Sequence, residues 1–363
     1  MKPTVHLAYT IPFGATYARR GIDKALSLVR LPPLYRSAKD ALIPWQKPIR
    51  APHSITYNLI RAIRARGYQV RLYNFYEHTV ANVRPGDIFI GQPAPLGGHG
   101  EKRALEDDPA SVTSRTIREY PSALNFLIMP YAHDEQYSLF WKDLLRKNNA
   151  AGGGAIFIGG KIWERDWETK SPFADIGFLR KVHLTAMGVD PREYPFCKKH
   201  FNQKGKRKYL YIGHSAWYKN TAELERIAER MPEYEFVHIG GGEVKGWKKR
   251  SNFAVLTPEY VEKLAEEFDI FVNTSTADPQ ATTILEQMCI GLAIACTPET
   301  GYDYSSLIML STHDTEQNVR SLCALQDAEE GDLLARAREN RRIAEDKHKW
   351  KQFTDTALDF VGI

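Results

Sequence analysis

Apolar and polar positions follow two styles along the chain. Short, nearly unbroken apolar runs at Thr4 to Tyr9 (TVHLAY), Asp87 to Ile90, Ala123 to Met129 and Ala155 to Ile158 read as buried strands. Between them, apolar residues recur every three or four positions. Ser54 to Arg66 (SITYNLIRAIRAR) predicts an amphipathic helix opened by a serine cap and closed by Gly67, with a strand at Tyr68 to Asn74 after it. Strands alternating with helices predict βαβ units and a parallel sheet.

Pro191 to Lys208 (PREYPFCKKHFNQKGKRK) interrupts the pattern with prolines, a glycine and a basic run, and is the expected interdomain linker. The alternation then restarts. Strands are predicted at Lys208 to Ile212, Glu235 to Ile239, Ile270 to Asn273 and Leu292 to Cys296, and helices at Thr221 to Arg230, Pro258 to Glu267 and Thr282 to Ile290. This predicts a second, Rossmann-type domain over residues 209–345, after a first over 1–190. One long helix is expected from Asp332 to Val361, charged early and closing on an apolar face of Trp350, Phe353, Leu358 and Phe360.

The length of 363 residues suits two domains that each bury a core. A net charge of +5 favours anionic ligands weakly, and nucleic acid is not implied. Cys197, Cys289, Cys296 and Cys323 are isolated and fit a reducing cytoplasm. The sequence has neither a run of about 18 apolar residues nor a signal-peptide pattern, so spanning and secretion are not supported. Cys197 and His200 could form half a metal site, but no second pair stands at ligand spacing, and no metal is expected.

Open αβ sheets bind ligands at the carboxyl ends of their strands, so the loops after strands carry the candidate chemistry. After Ile212 comes Gly213 to Asn220 (GHSAWYKN), placing His214 and Lys219 on one loop, where a lysine suits a phosphate or is a solvated bystander. After Ile239 comes Gly240 to Glu243 (GGGE), which permits close approach of backbone to a ligand or forms a tight turn. After Asn273 comes ADPQATTILEQMCIGLAIACTPETG, Ala277 to Gly301. Here Asp278 precedes the helix, Glu286 lies on it, and Gln280, Ala281 and Thr282 offer backbone N–H groups to an anion. A helix cap at Asp278 and a surface ion pair at Glu286 are the plain alternatives.

Taken in order, these motifs resemble the GT-B glycosyltransferases of glycosyltransferase family 4, the retaining, nucleotide-sugar-using class. Gly188-Val189-Asp190-Pro191-Arg192-Glu193-Tyr194-Pro195 is similar to that family's GVDxxxFxP pattern, and Gly213 with Lys219 has its Gly-to-Lys spacing. Gly240 to Gly242 matches its glycine turn, and Asp278 and Glu286 stand at its two acids, followed by Gln287 to Ile294 (QMCIGLAI). The resemblance, good over about 182–361, implies two Rossmann-like doubly wound domains facing each other across a cleft, with the closing segment 346–363 crossing back to the first. It implies a donor site of Gly213, His214, Lys219, Gly241, Gln280, Ala281, Thr282, Thr283 and Glu286. Within it Glu286 would hold the ribose hydroxyls, the 280–283 backbone the sugar and diphosphate, Lys219 the leaving diphosphate, and Asp278 the transferred sugar. His133, in His133-Asp134 after an apolar run, resembles the family's histidine near the sugar.

The chain departs from the family at Asp278, which replaces a glutamate, and at His214, which replaces an arginine and would make diphosphate binding weaken as pH rises. No DxD occurs, so a metal-chelating pair of that kind is unsupported. The stretch 19–50 holds eight Lys or Arg among apolar residues; it reads as a solvated excursion, or as an arm for an acidic or lipid-linked acceptor or for peripheral contact with an anionic membrane. The expected function is retaining transfer of a sugar from a nucleoside-diphosphate sugar to an unidentified acceptor. A nucleotide-sugar epimerase or hydrolase, or a non-catalytic binding module, is the alternative on the same fold.

Overall fold

The computed structural model describes residues 2–9, 51–74, 79–93, 111–129, 135–160, 162–164, 173–252 and 257–363. The basic stretch 19–50 and His133 lie outside these residues. The chain divides into two compact units, one of Met1–Phe157, Trp167–His183 and Thr354–Ile363, the other of Ile158–Asp166 and Leu184–Phe353.

The first unit is built on strands β1 (Thr4–Tyr9), β2 (Gln69–Asn74), β3 (Ile88–Gly91), β4 (Asn125–Met129), β5 (Gly154–Ile158) and β6 (Lys181–Leu184), with helices α1 (Ala51–Ala65), α2 (Val112–Glu119) and α3 (Glu135–Ala150). The sheet runs β2-β1-β3-β4-β5-β6, and β1 pairs in parallel with both β2 and β3. Its central strands are buried, which explains their apolar runs. Helix α1 starts at Ala51 rather than at the expected Ser54 cap; Ser54 lies inside the helix, its carbonyl accepting from Asn58 Nδ2 at 2.8 Å. Arg66 ties the end of the chain into this unit, with Nη2 2.9 Å from Asp355 Oδ1 and Nη1 2.7 Å from Asp359 Oδ1. Phe360 packs its ring edge-on to Phe126 at 5.6 Å.

The second unit contains β7 (Tyr209–Ile212), α4 (Thr221–Arg230), β8 (Phe236–Ile239), β9 (Lys248–Ser251), α5 (Pro258–Glu267), β10 (Ile270–Asn273), α6 (Thr282–Ile290), β11 (Ala293–Cys296), β12 (Ile308–Met309), α7 (Thr315–Asp327), α8 (Glu330–Lys347) and part of α9 (Trp350–Val361). Helices α4, α5 and α6 and strand β10 have the bounds the sequence predicts. The sheet order is β12-β11-β10-β7-β8-β9. Counted from β7, this is the order of a dinucleotide-binding sheet, and the winding reverses between β7 and β10. Connections leave those two strands in opposite directions, so the loops that follow them border the crevice where such sheets take ligands.

Residues 191–208 belong to this unit, and two of their basic side chains, those of Lys198 and Arg207, are buried, while Arg192, Lys199, Lys204 and Lys206 are exposed. Lys198 Nζ bonds Asp269 Oδ1 at 2.9 Å and the Phe268 carbonyl at 2.7 Å. Asp269 also accepts from Asn202 Nδ2 at 2.7 Å. Arg207 donates to the carbonyls of Leu325, Gln326 and Ala328, where α7 ends with unpaired, partly negative carbonyls. Strand β9 (KKRS) forms an edge of the sheet with its lysines and arginine exposed.

The single closing helix expected from 332 to 361 is two helices, broken at His348. The cause is tertiary: Nδ1 bonds the Met187 carbonyl at 2.9 Å, Nε2 bonds the Tyr304 hydroxyl at 2.9 Å, and the His348 carbonyl accepts from Val189 N at 2.9 Å. Burial pushes the imidazole down to about 4, so it is neutral at pH 7 and donates from Nδ1 while accepting at Nε2.

Candidate functional site

The loops after β7 and β10 are stitched together by backbone. Thr276 N donates to the Tyr218 carbonyl at 2.9 Å, and Thr274 Oγ1 donates to the Asn220 carbonyl at 3.1 Å. A short 3-10 turn, Trp217–Lys219, ends at Asn220 in a left-handed conformation. These bonds fix Lys219 beside the second loop, and its Nζ forms an ion pair with Asp278 Oδ2, both side chains 12% exposed. The two residues singled out on separate loops are thus in contact, at the reversal point of the sheet.

The glycines have distinct parts. Gly213 donates its N–H to the Ile239 carbonyl at 2.9 Å, and its own carbonyl is 2.8 Å from His238 Nε2, so its backbone is engaged within the fold. A Cβ on Gly240 would lie 1.7 Å from that carbonyl, which forces glycine there. Gly242 has φ of 83° and backs onto Ser215, whereas a Cβ on Gly241 would meet nothing nearer than His214 Cβ at 3.8 Å. Two of the three glycines are therefore explained by loop packing, and Gly241 is the one that leaves room. His214 is exposed, with Nε2 2.8 Å from the Tyr218 hydroxyl.

Two helix amino termini adjoin the pair, and only one is open to an anion. In the first turn of α4, Glu223 is fully buried and bonded to Arg226, Thr315 and Asn318, so a carboxylate already answers that end. The dipole of α4 is therefore compensated. Helix α6 has no side-chain cap at Ala281 and no acid in its first turn, and Thr282 and Thr283 there are half-buried. The Ala281 carbonyl accepts from Tyr302 at 3.2 Å, and Ala281 N donates to the Asp278 carbonyl at 3.2 Å. Gln280 is buried, and its carboxamide reaches Thr185 and Met187.

Glu286, farther along α6, accepts from the Tyr194 hydroxyl at 3.2 Å. Desolvation, reinforced by the nearby charge of Glu193 and opposed by the Tyr194 bond, raises its carboxyl from the ordinary 4.5 to about 8. Glu286 is thus mostly protonated at pH 7 in the empty protein, while part of its side chain remains open to solvent. Buried Tyr302 feels the charges of both Asp278 and Glu286, and burial above all holds its hydroxyl well above the ordinary 10. Tyr194 entered the sequence analysis only as part of the motif Gly188 to Pro195, with no place in the site, and Tyr218 and Tyr302 were given no part, because a tyrosine in a loop carries no spacing signal of its own. His133 is outside the described residues. Among the described residues, no group of three or more His, Cys, Asp or Glu is placed to hold a metal ion, and no helix is long and apolar enough to cross a membrane.

No family profile matches the chain, and no curated protein does. Solved structures do. Sucrose-phosphate synthase from Thermosynechococcus elongatus superposes with a TM-score of 0.59 at 10% identity, covering 99% of this chain and 98% of that one. WaaG, a glycosyltransferase involved in lipopolysaccharide biosynthesis, gives 0.57 at 12% identity and 99% of each chain. TarM of S. aureus gives 0.55 at 13% identity, over 85% of this chain and 59% of TarM. At such identities the likeness speaks to architecture, and it agrees with the two sheets described above. The chain has the GT-B fold, two Rossmann-like domains each built on a six-stranded sheet.

Proposed function

We propose that the protein is a retaining glycosyltransferase that moves a sugar from a nucleoside-diphosphate sugar to an acceptor hydroxyl. The observation that carries this reading is the Lys219–Asp278 pair beside the uncapped end of α6, at the carboxyl ends of β7 and β10. Cleaving a glycosyl–phosphate bond leaves negative charge on the diphosphate and builds positive charge on the sugar ring. Fixed groups of opposite sign lower that barrier because they need not reorganise. Lys219 and the α6 N–H groups face the first charge, and Asp278 the second. The glycosidic C–O bond to phosphate breaks, a new C–O bond forms to the acceptor, and the acceptor proton passes to a donor phosphate oxygen.

In the empty protein Lys219 and Asp278 neutralise one another; a bound donor would insert its diphosphate and sugar between groups already poised for them. Glu286 would accept the ribose hydroxyls. WaaG and TarM are glycosyltransferase-fold neighbours, and TarM was solved in a complex that includes UDP, which puts UDP first among the nucleotides to try. The test is a thermal-shift screen with UDP, GDP, ADP, TDP and CDP, followed by sugar conjugates of the nucleotide that binds. Ligand at 100 times its dissociation constant adds about 2.7 kcal/mol of stability. A shift with one nucleotide, followed by sugar transfer from its conjugate, supports the reading, and no shift with any of them removes it.

Asp278→Asn is expected to lower turnover by about tenfold or more while changing nucleoside-diphosphate affinity little, since it removes charge opposite the sugar and keeps the shape. Initial rates and calorimetric affinity, measured on the same preparation, check this. A loss of affinity with an intact rate would mean that Asp278 serves the nucleotide instead.

A further inference from the structure

Within the turn 278–283, Gln280 alone has a positive φ, 57°, and it is 2% exposed. A residue with a Cβ keeps that conformation only where its surroundings impose it. They do so here from several sides. Gln280 N donates to the Thr300 carbonyl at 2.9 Å, Nε2 donates to the Thr185 carbonyl at 2.5 Å, and Oε1 accepts from Met187 N. A Cβ on Gly301 would come within 3.2 Å of Gln280 Cγ, so the neighbouring residue leaves the glutamine only the space it fills. Met187 is itself anchored, its carbonyl accepting from His348 Nδ1 at 2.9 Å. The carboxamide is therefore directed at residues 185–187 and not toward the open end of α6.

We propose that Gln280 is a positioning residue. Its carboxamide, anchored on Thr185 and Met187, holds residue 280 in the left-handed conformation from which α6 starts, and so sets the direction of the first-turn N–H groups that receive the diphosphate. This rests on the donor-site reading above.

The experiment compares the full chain with Gln280→Ala, Gln280→Gly and Gln280→Glu, measuring affinity for UDP, GDP, ADP, TDP and CDP by calorimetry and the melting temperature of each protein. Alanine and glycine lose the same two side-chain bonds but differ in their tolerance of positive φ, so the contrast isolates the backbone conformation. Alanine and glutamate are expected to weaken binding by about tenfold or more, the second by setting an acceptor against the Thr185 carbonyl, while glycine recovers most of the loss. Unchanged affinity in Gln280→Ala would overturn the proposal. So would glycine binding as poorly as alanine, because the side chain itself would then serve the ligand. If the unaltered protein binds none of the five nucleotides, the donor-site reading falls and takes this proposal with it; if it binds one and all three variants bind equally well, only the proposal falls.

Discussion

Lys219→Ala is expected to lower kcat by about 10²- to 10³-fold, the range seen when one preorganised group facing developing charge is removed. The fold should survive, because the ammonium's partners belong to the loops around the site: it lies beside Asp278 and 5.5 Å from the Tyr218 ring centroid. The loop that carries it is held at its backbone carbonyls by the Thr274 hydroxyl and the Thr276 N–H, bonds that do not involve the lysine side chain. A structural contribution through the ion pair can be separated with Asp278→Ala and the double variant. If Lys219 acts only as the partner of Asp278, the double variant will be no slower than Asp278→Ala, since deleting one member of a buried pair harms mainly by stranding the other. If Lys219 stabilises the leaving diphosphate, the double variant will be slower by a further large factor. Steady-state rates with donor in excess decide between these, and full activity in Lys219→Ala would end the assignment.

Glu286→Ala is expected to weaken nucleoside-diphosphate binding by about tenfold to a hundredfold, the cost of leaving hydrogen-bonding ribose hydroxyls unanswered in a desolvated site. The accompanying pH dependence is more diagnostic. In the empty protein the carboxyl titrates near 8. Hydroxyl donors favour its ionised form, so binding must expel the proton, and affinity should rise with pH through neutrality and level off above about 8. Replacing Glu286 with glutamine should abolish that rise. The exposed His214 was expected to give the opposite trend, so any decline that persists in Glu286→Gln belongs to another group. Stability should move the other way from affinity. The folded state holds the Glu286 proton more tightly than the unfolded chain, so this residue's contribution is complete below about 4.5 and is lost as pH rises toward about 8. Calorimetry in buffers of differing ionisation enthalpy would register proton release near pH 7 in the original protein and none in the glutamine variant.

What could be read from the sequence follows burial. Helices α4, α5 and α6 and strand β10 had the expected bounds; β10 is buried along its whole length, and Thr257-Pro258 caps α5 as local rules require. Strand β9 was illegible because an exposed edge imposes no apolar pattern on Lys248-Lys249-Arg250. The break at His348 was also invisible, since the groups that cause it, at Met187, Val189 and Tyr304, come from far along the chain. At the site, spacing found Lys219 and Asp278 but not that they touch. It listed Gln280 for its backbone and missed the direction of its side chain, which is set by Thr185 and Met187. The compensation of the α4 terminus by Glu223 depends on Thr315 and Asn318, and no local pattern reports it.

The charged edge at β9 bears on how this protein behaves when crowded. An outermost strand offers unpaired N–H and C=O groups on which another chain can nucleate. A second copy arriving there would set Lys248, Lys249 and Arg250 against the same cations of its neighbour, and like charges facing across paired strands repel. Lys249 Nζ is also tethered to the Gly242 carbonyl at 2.7 Å, and Arg250 Nη2 to Glu267 at 2.6 Å, which keeps two of these side chains in place. The sheet thus ends in a barrier to self-templated growth, and a chain at high concentration has little reason to polymerise from this side.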